Sequence, residues 1–247
     1  MFNYKEVGKE IGWSFDKMKH SVEQDNPYFY YHEVVKHINA NTVMLDIGCG
    51  SGEKSTKYFG YAKKIIMLDN EPEMLIKAKQ NVETFYKGTQ IDKFEFVEGN
   101  ADGTLNFEDE SFDLVVSRHC GGNMKEIYRI LKKGGVFISE DIDEQDCLEI
   151  KEYYGRGQGY PFTVYHKQET FLQSLNAGFS QINLLTFDQR EYYPNVEELK
   201  YLLCRTPIID GYDEENDAEI LNKYCQQFAT DKGILLNRKL YAFELVK

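Results

Sequence analysis

The chain has 247 residues, 42% hydrophobic and 14% aromatic, enough to build one sizeable core. A formal charge of -12 and a pI near 5.0 argue against a nucleic-acid partner, which would call for a basic surface, and favour a small-molecule substrate. No run approaches the roughly eighteen consecutive apolar residues of a membrane span, and the start, MFNYKEVGKEIGW, has acidic residues and no apolar signal core, so a cytoplasmic location is expected. The five cysteines, Cys49, Cys120, Cys147, Cys204 and Cys225, are odd in number, scattered and without a CxxC pair, as reduced thiols are.

Residues 1–37 show no sheet pattern but are rich in aromatics, including Trp13, Phe15, Tyr28, Phe29, Tyr30 and Tyr31, and read as an N-terminal cap segment. A cofactor-binding core is expected over 38–142. It opens with the short apolar run 43–47 (VMLDI) entering glycines, then 65–69 (IIMLD), then a helix from Pro72 to Tyr86, which is βαβ grammar. Strands follow at 94–98, 112–117 and 135–140, with a helix over 123–132 closed by Gly134 and Gly135. A second aromatic segment, 143–166, with Tyr153, Tyr154, Tyr160, Phe162 and Tyr165, reads as a cap loop. The remainder, 167–247, gives a helix near 167–177, a strand at 181–187, a mostly helical insertion over 194–232 (near 195–204 and 214–229), and a last strand at 239–246. The two late strands suggest an antiparallel edge, and the whole reads as a single α/β domain.

Parallel α/β sheets bind ligands at the carboxyl ends of their strands, so the residues just after each strand carry the chemistry. The first turn is Asp46-Ile47-Gly48-Cys49-Gly50-Ser51-Gly52. Gly48 and Gly50 remove side chains where a ligand approaches the backbone, and Gly52 suits close packing of helix on strand. Asp69 ends the second strand, about 20 residues further on, where a carboxylate accepts from both ribose hydroxyls; capping the helix after Pro72 is its other reading, a role Asn70 or Glu71 fills equally well. After the third strand, Asp102 can accept from an adenine amino group while the Ala101 amide donates to a ring nitrogen. A dinucleotide fingerprint would need glycine or alanine where this chain has Glu53, and a pyrophosphate would meet Asp46 and Glu53. The ligand is better drawn as cationic.

LDIGCGSGE (45–53), MLDNEPEML (67–75), EGNADG (98–103), FEDESFDLVVSRH (107–119) and EIYRILKKGGVFISED (126–141) together resemble, in order, the motifs of class I S-adenosylmethionine-dependent methyltransferases of the small-molecule type. The resemblance is strong over about residues 40–145 and topological beyond. It implies a Rossmann-like, doubly wound, seven-stranded sheet of order 3-2-1-4-5-7-6 with the last strand antiparallel, under a helical and aromatic cap. Carried over, Asp46, Gly48, Gly50 and Gly52 surround the methionine portion of S-adenosylmethionine, Asp69 with Asn70 the ribose, and Ala101 with Asp102 the adenine. Ser117, Arg118 and His119 then stand near the transferring methyl.

His119 is the expected general base, its alternative being a structural histidine hydrogen-bonded beneath the cofactor. Trp13, Tyr160 and His166 are expected on the acceptor side. The fourth strand ends in SRHC and lacks the Asp/Asn-Pro-Pro-aromatic signature of adenine-N6 and glutamine methyltransferases. No metal is expected: Glu140, Asp141, Asp143, Glu144 and Asp146 read as solvated carboxylates, and His32 and His37 are spaced onto different helix faces. Two other functions stay open, a binding module that holds S-adenosylmethionine without turnover and a nicotinamide-dependent oxidoreductase.

Overall fold

The computed structural model describes residues 2–161 and 165–247; Phe162, assigned above to the cap loop, lies outside them. The chain begins with helix α1 (Tyr4–Ile11), strand β1 (Ser21–Gln24) and helix α2 (Tyr30–Val35). Then β2 (Val43–Ile47), α3 (Glu53–Tyr58), β3 (Lys64–Asp69), α4 (Pro72–Phe85), β4 (Phe94–Glu98), β5 (Phe112–Arg118), α5 (Met124–Ile130) and β6 (Leu131–Ile142) form the first part of the sheet. Helices α6 (Leu148–Tyr154) and α7 (His166–Ala177) lead to β7 (Gln181–Tyr193), α8 (Val196–Arg205), α9 (Ala218–Gln227), β8 (Ala229–Thr230) and β9 (Gly233–Val246).

Among the described residues the sheet has nine strands, in order β4-β3-β2-β5-β6-β9-β7-β1, with β8 paired to β9. Its central seven run in the expected order; β1 and β8 are additions. β2 pairs in parallel with β3 and β5, while β9 is antiparallel to both β6 and β7. Apolar side chains on both faces of the central strands explain why VMLDI and IIMLD are nearly continuous apolar runs: Leu45, Ile47 and Val115 pack into one core layer, Met44, Met67 and Val116 into the other. α4 starts with Pro72 at its first turn and turns Met74, Leu75, Ala78 and Val82 inward, the spacing of one helical face.

The two late strands are longer than their apolar patterns indicate. Pairing of β6 with β9 stops at Ile142 with Leu240, whereas β7 and β9 stay paired out to Tyr193 with Ile234. The overhanging ribbon rises past the carboxyl edge of the sheet, and β1 pairs along its outer side, from Ser21 with Tyr192 to Gln24 with Gln189. Helices α6, α8 and α9 bury Leu199, Leu202, Leu221 and Tyr224 against Tyr193 and Leu236 of the ribbon. Hydrophobic alternation fails here because Arg238 is inward, between Asp146 at 3.0 Å and Glu191 at 3.1 Å.

Other boundaries shift for local reasons. The helix expected over 123–132 ends at Ile130, because Leu131 is extended (φ -70°, ψ 139°) and pairs with Phe112. Segment 1–37, read as lacking any sheet element, supplies β1, and the cap loop over 143–166 contains α6. Among the described residues no helix is long and apolar enough to cross a membrane.

Candidate functional site

The glycine turn is tied to the end of β3: the amides of Gly48 and Cys49 both donate to the Leu68 carbonyl, at 2.8 and 3.0 Å. Gly48 and Gly52 both hold a φ of +67°, which disfavours any Cβ. At Gly52 a Cβ would meet Met67 Cε at 2.7 Å and Ala78 Cβ at 3.0 Å, so this glycine lets α3 start hard against β3 and α4. At Gly48 it would meet the Cβ and Sγ of Cys120, each at 2.5 Å. That crowding adds a packing reason to the sequence reading of Gly48: a neighbouring strand end fills the space a side chain would need. At Gly50, whose φ is +54°, a Cβ would lie 3.7 Å from Trp13 Cδ1.

Four carboxylates stand around this turn. Asp46 is buried, accepts from the Ser55 hydroxyl, and is pushed up to about 7 by burial, with the charge of Asp69 adding to it. Asp69 accepts from the Gly50 amide at 2.8 Å and the Glu71 amide at 3.0 Å, and its pKa is raised by burial. It braces the turn from below; the N-cap of α4 is Glu71, and Asn70 is exposed. Asp102 sits on the turn after β4, its amide held by Asn100 Oδ1 at 2.9 Å, while the carbonyl of buried Ala101 accepts from Asn123 at 2.9 Å. Asp141, at the end of β6, is pushed up to about 7 by burial and then by Glu140. Cys120 feels all four: burial first, then Asp69, Asp141, Asp102 and Asp46 push its thiol up to about 12. Among the described residues none of these four carboxylates has an ion-pair partner.

The end of β5 forms the opposite wall. Ser117 is fully buried and donates to the Gly121 carbonyl at 2.9 Å. Arg118 pairs through Nε with Glu140 at 2.7 Å and lies over the Tyr31 ring at 5.8 Å. His119 holds a φ of +58° and donates its amide to the Glu140 carbonyl at 2.9 Å. Arg118, His119 and Cys120 remain open to solvent although protein crowds them closely. No hydrogen bond from a described residue reaches the His119 imidazole. Burial, then Arg118 and Arg238, hold its pKa well below 6.5, so the ring is neutral. A non-glycine residue in this backbone region is strained and is kept there by its surroundings; Trp13, at φ +62°, is another.

The expected acceptor-side residues separate. Trp13 lies on the glycine turn, because Ser51 Oγ donates to the Gly12 carbonyl at 2.6 Å and Lys77 Nζ to the Gly8 carbonyl at 2.9 Å. Tyr160 belongs to a tight turn bridged to Gly157 and anchored to the connection after α8 by Gln158 N donating to Ile208 O at 3.2 Å. His166 starts α7, with its side chain 65% exposed and Glu169 at 4.0 Å, and the structure does not bring it to the site. Sequence reasoning missed Arg238, whose charge reaches His119, and the hydroxyls of Tyr28 and Tyr30, buried without a partner among the described residues and within electrostatic reach of Arg118. Nothing in the linear pattern marks Arg238; the tyrosines stood in the aromatic segment read as an N-terminal cap.

A donor that is both sulfonium and ammonium fits this charge distribution, since carboxylates without protein counter-ions surround the turn where it would lie. Residues 38–199 match the sequence model of the Methyltransferase domain family. The chain belongs to the class I S-adenosylmethionine-dependent methyltransferases. Within that family it is 29% identical to a sterol 24-C-methyltransferase of Clavispora lusitaniae over 194 residues, 71% of this chain and 50% of the relative. It is 27% identical to a demethylmenaquinone methyltransferase of Oceanobacillus iheyensis over 160 residues, 60% of this chain and 65% of the relative. The chain thus spans about half the length of the sterol relatives it matches. In fold it is similar to a functionally unknown protein of Deinococcus radiodurans R1 (TM-score 0.62, 17% identity, covering 98% of this chain and 97% of that one). The YcgJ protein of Bacillus subtilis gives a TM-score of 0.55 at 17% identity, covering 88% and 97%.

Proposed function

We propose that this protein is a small-molecule methyltransferase that binds S-adenosylmethionine across the carboxyl ends of β2, β3 and β4. The acceptor would lie between His119 and the overhanging β7–β9 ribbon. The observation that carries this reading is the set of four carboxylates without ion-pair partners, Asp46, Asp69, Asp102 and Asp141, all acting on Cys120. The donor supplies an electrophilic methyl on a cationic sulfur. Asp69, with Asn70, holds the ribose; Ala101 and Asp102 read the adenine; Asp46 and the Gly48–Gly52 turn face the methionine end.

Much of the acceleration in such a displacement comes from alignment in a water-poor site. Trp13 and α1, resting on the turn, exclude water; segments 1–37 and 143–166 act as the cap over core 38–142. His119, neutral and without a hydrogen bond from the described residues, accepts the proton released at an oxygen, nitrogen or carbon of the acceptor. The sterol and demethylmenaquinone acceptors named for the relatives support a small organic acceptor, the acidic charge disfavours nucleic acid, and five free cysteines support a reducing, cytoplasmic setting.

The test is to incubate the protein with methyl-labelled S-adenosylmethionine and a pool of small metabolites, and to follow the label. Label should enter small molecules, and His119→Gln should slow that transfer about a hundredfold, a typical general-base contribution, with cofactor affinity kept within about threefold. Bound cofactor with no label transferred, or label appearing in RNA, would overturn the proposal.

A further inference from the structure

Strand β7 is an edge strand along part of its length only. β1 covers it from Gln189 to Tyr192, which leaves Gln181 to Asp188 with β9 on one side and, among the described residues, no strand on the other. A free row of backbone donors and acceptors is a template for another strand, and proteins normally guard it with lysine, proline, a bulge or a short length. The opposite edge is guarded: β4 has five residues, and its Glu95 pairs with Lys64 at 2.6 Å. The free part of β7 is unguarded. From Gln181 to Phe187 it reads QINLLTF, with no charge and no proline, in a chain of formal charge -12.

The surface beside this edge is apolar. Leu184 shares its sheet face with Ile182, on the side that α7 covers, and is 41% exposed. On α7, Gln173, Asn176 and Ala177 line a groove shared with α5, whereas Leu172 and Leu175, one helical turn apart, lie on the other flank, toward the sheet edge. They are 57% and 50% exposed. Three leucines thus border an uncharged, unpaired strand.

We propose that this edge is the dimer interface of the protein, a second copy pairing its own β7 antiparallel to this one across a two-fold axis. The two-fold passes beside Leu184, so Gln181 of one protomer faces Phe187 of the other and the paired stretch coincides with the uncharged run. β1 fixes the limit of the pairing, since beyond Asp188 the edge is already occupied. Antiparallel pairing of a strand with its own copy is self-complementary, as a two-fold interface must be, and it joins both sheets into one. Because the run is neutral, two acidic chains meet there without like charges in opposition. Seven paired residues span about 24 Å, and the exposed leucines of α7 extend the apolar contact on one side.

Light scattering on the size-exclusion peak of the full chain tests this. The wild type should give twice the monomer mass of 28.9 kDa. Leu184→Lys places two ammonium groups against each other at the axis and should halve the mass, leaving the circular dichroism spectrum and thermal midpoint in place. Leu172→Glu with Leu175→Glu, on the helix surface and outside the sheet, should do the same and answers alone if the strand variant fails to fold. A monomeric wild type at protein concentrations of about 100 μM, far above the Kd of a stable interface, overturns the proposal. So does a dimer that both variants leave intact.

Discussion

Gly48→Ala separates two reasons for a glycine in the cofactor turn. The methyl group would enter 2.5 Å from both Cβ and Sγ of Cys120, at a backbone φ of +67°. Rotating Cys120 about χ1 moves the sulfur away but leaves its Cβ in place, so the backbone must shift. Overpacking of this kind costs about 1–3 kcal/mol and the left-handed backbone about 1–2 kcal/mol more, a total of about 2–5 kcal/mol. Urea denaturation of the cofactor-free protein measures it. Cys120→Gly removes both clashing atoms and should recover the overpacking part in the double variant, a coupling of about 1–3 kcal/mol. Cys120→Ala keeps the Cβ and should recover little. A cost under about 1 kcal/mol, or a Gly48→Ala/Cys120→Gly double variant that is additive within about 0.5 kcal/mol, would refute the packing account.

Asp69→Ala removes a charged acceptor for two ribose hydroxyls and for the amides of Gly50 and Glu71, each such bond worth about 1.5–3 kcal/mol. S-adenosylmethionine affinity by calorimetry should fall at least about tenfold; a change under about threefold would leave Asp69 as a brace of the turn only. For pH, Asp46 and Asp141 are held near about 7, above the value of an unfolded aspartate, so the fold favours their protonated forms. Their contribution is therefore fully present below about pH 4 and is lost as pH rises through about 7. A cationic ligand prefers the ionised forms, so its affinity should climb from pH 5.5 to 8 by up to about tenfold per unit per group, while the neutral thioether product responds less; equal pH profiles for the two would refute this. Deleting residues 1–13, which carry α1 and Trp13 but stop short of β1, should slow turnover far more than it lowers the thermal midpoint. Unchanged turnover would remove α1 from the account.

Legibility in the sequence followed how each residue is buried. The central strands were readable because both faces are apolar, and the 3-2-1-4-5-7-6 order came with the family resemblance. The overhang of β7 and β9 was not, since Arg238, Glu191 and Asp146 satisfy one another inside the structure while each alone reads as surface. β1 was hidden for a related reason: its four residues, SVEQ, pair on one edge only and carry no apolar alternation. Around the site, the glycines and Asp46, Asp69 and Asp102 could be located from spacing, whereas Asp141, read as a solvated carboxylate together with Glu140, Asp143 and Asp146, is crowded by protein at the end of β6, and those three are buried. What each glycine touches could not, because the contact of Gly48 with Cys120 joins two strand ends far apart in sequence. The φ of His119 likewise leaves no mark in a sequence where histidine is unremarkable.

The central claim is that the turn from Asp46 to Gly52, with Asp69 beneath it, is a site for a cationic nucleoside donor. Calorimetric titration of the full chain with S-adenosylmethionine, and in parallel with reduced nicotinamide adenine dinucleotide, tests it most directly. One S-adenosylmethionine per chain should bind, weakened at least about tenfold by Asp69→Asn, and the dinucleotide should not bind. Absence of S-adenosylmethionine binding, or saturation of the same site by the dinucleotide, would contradict it.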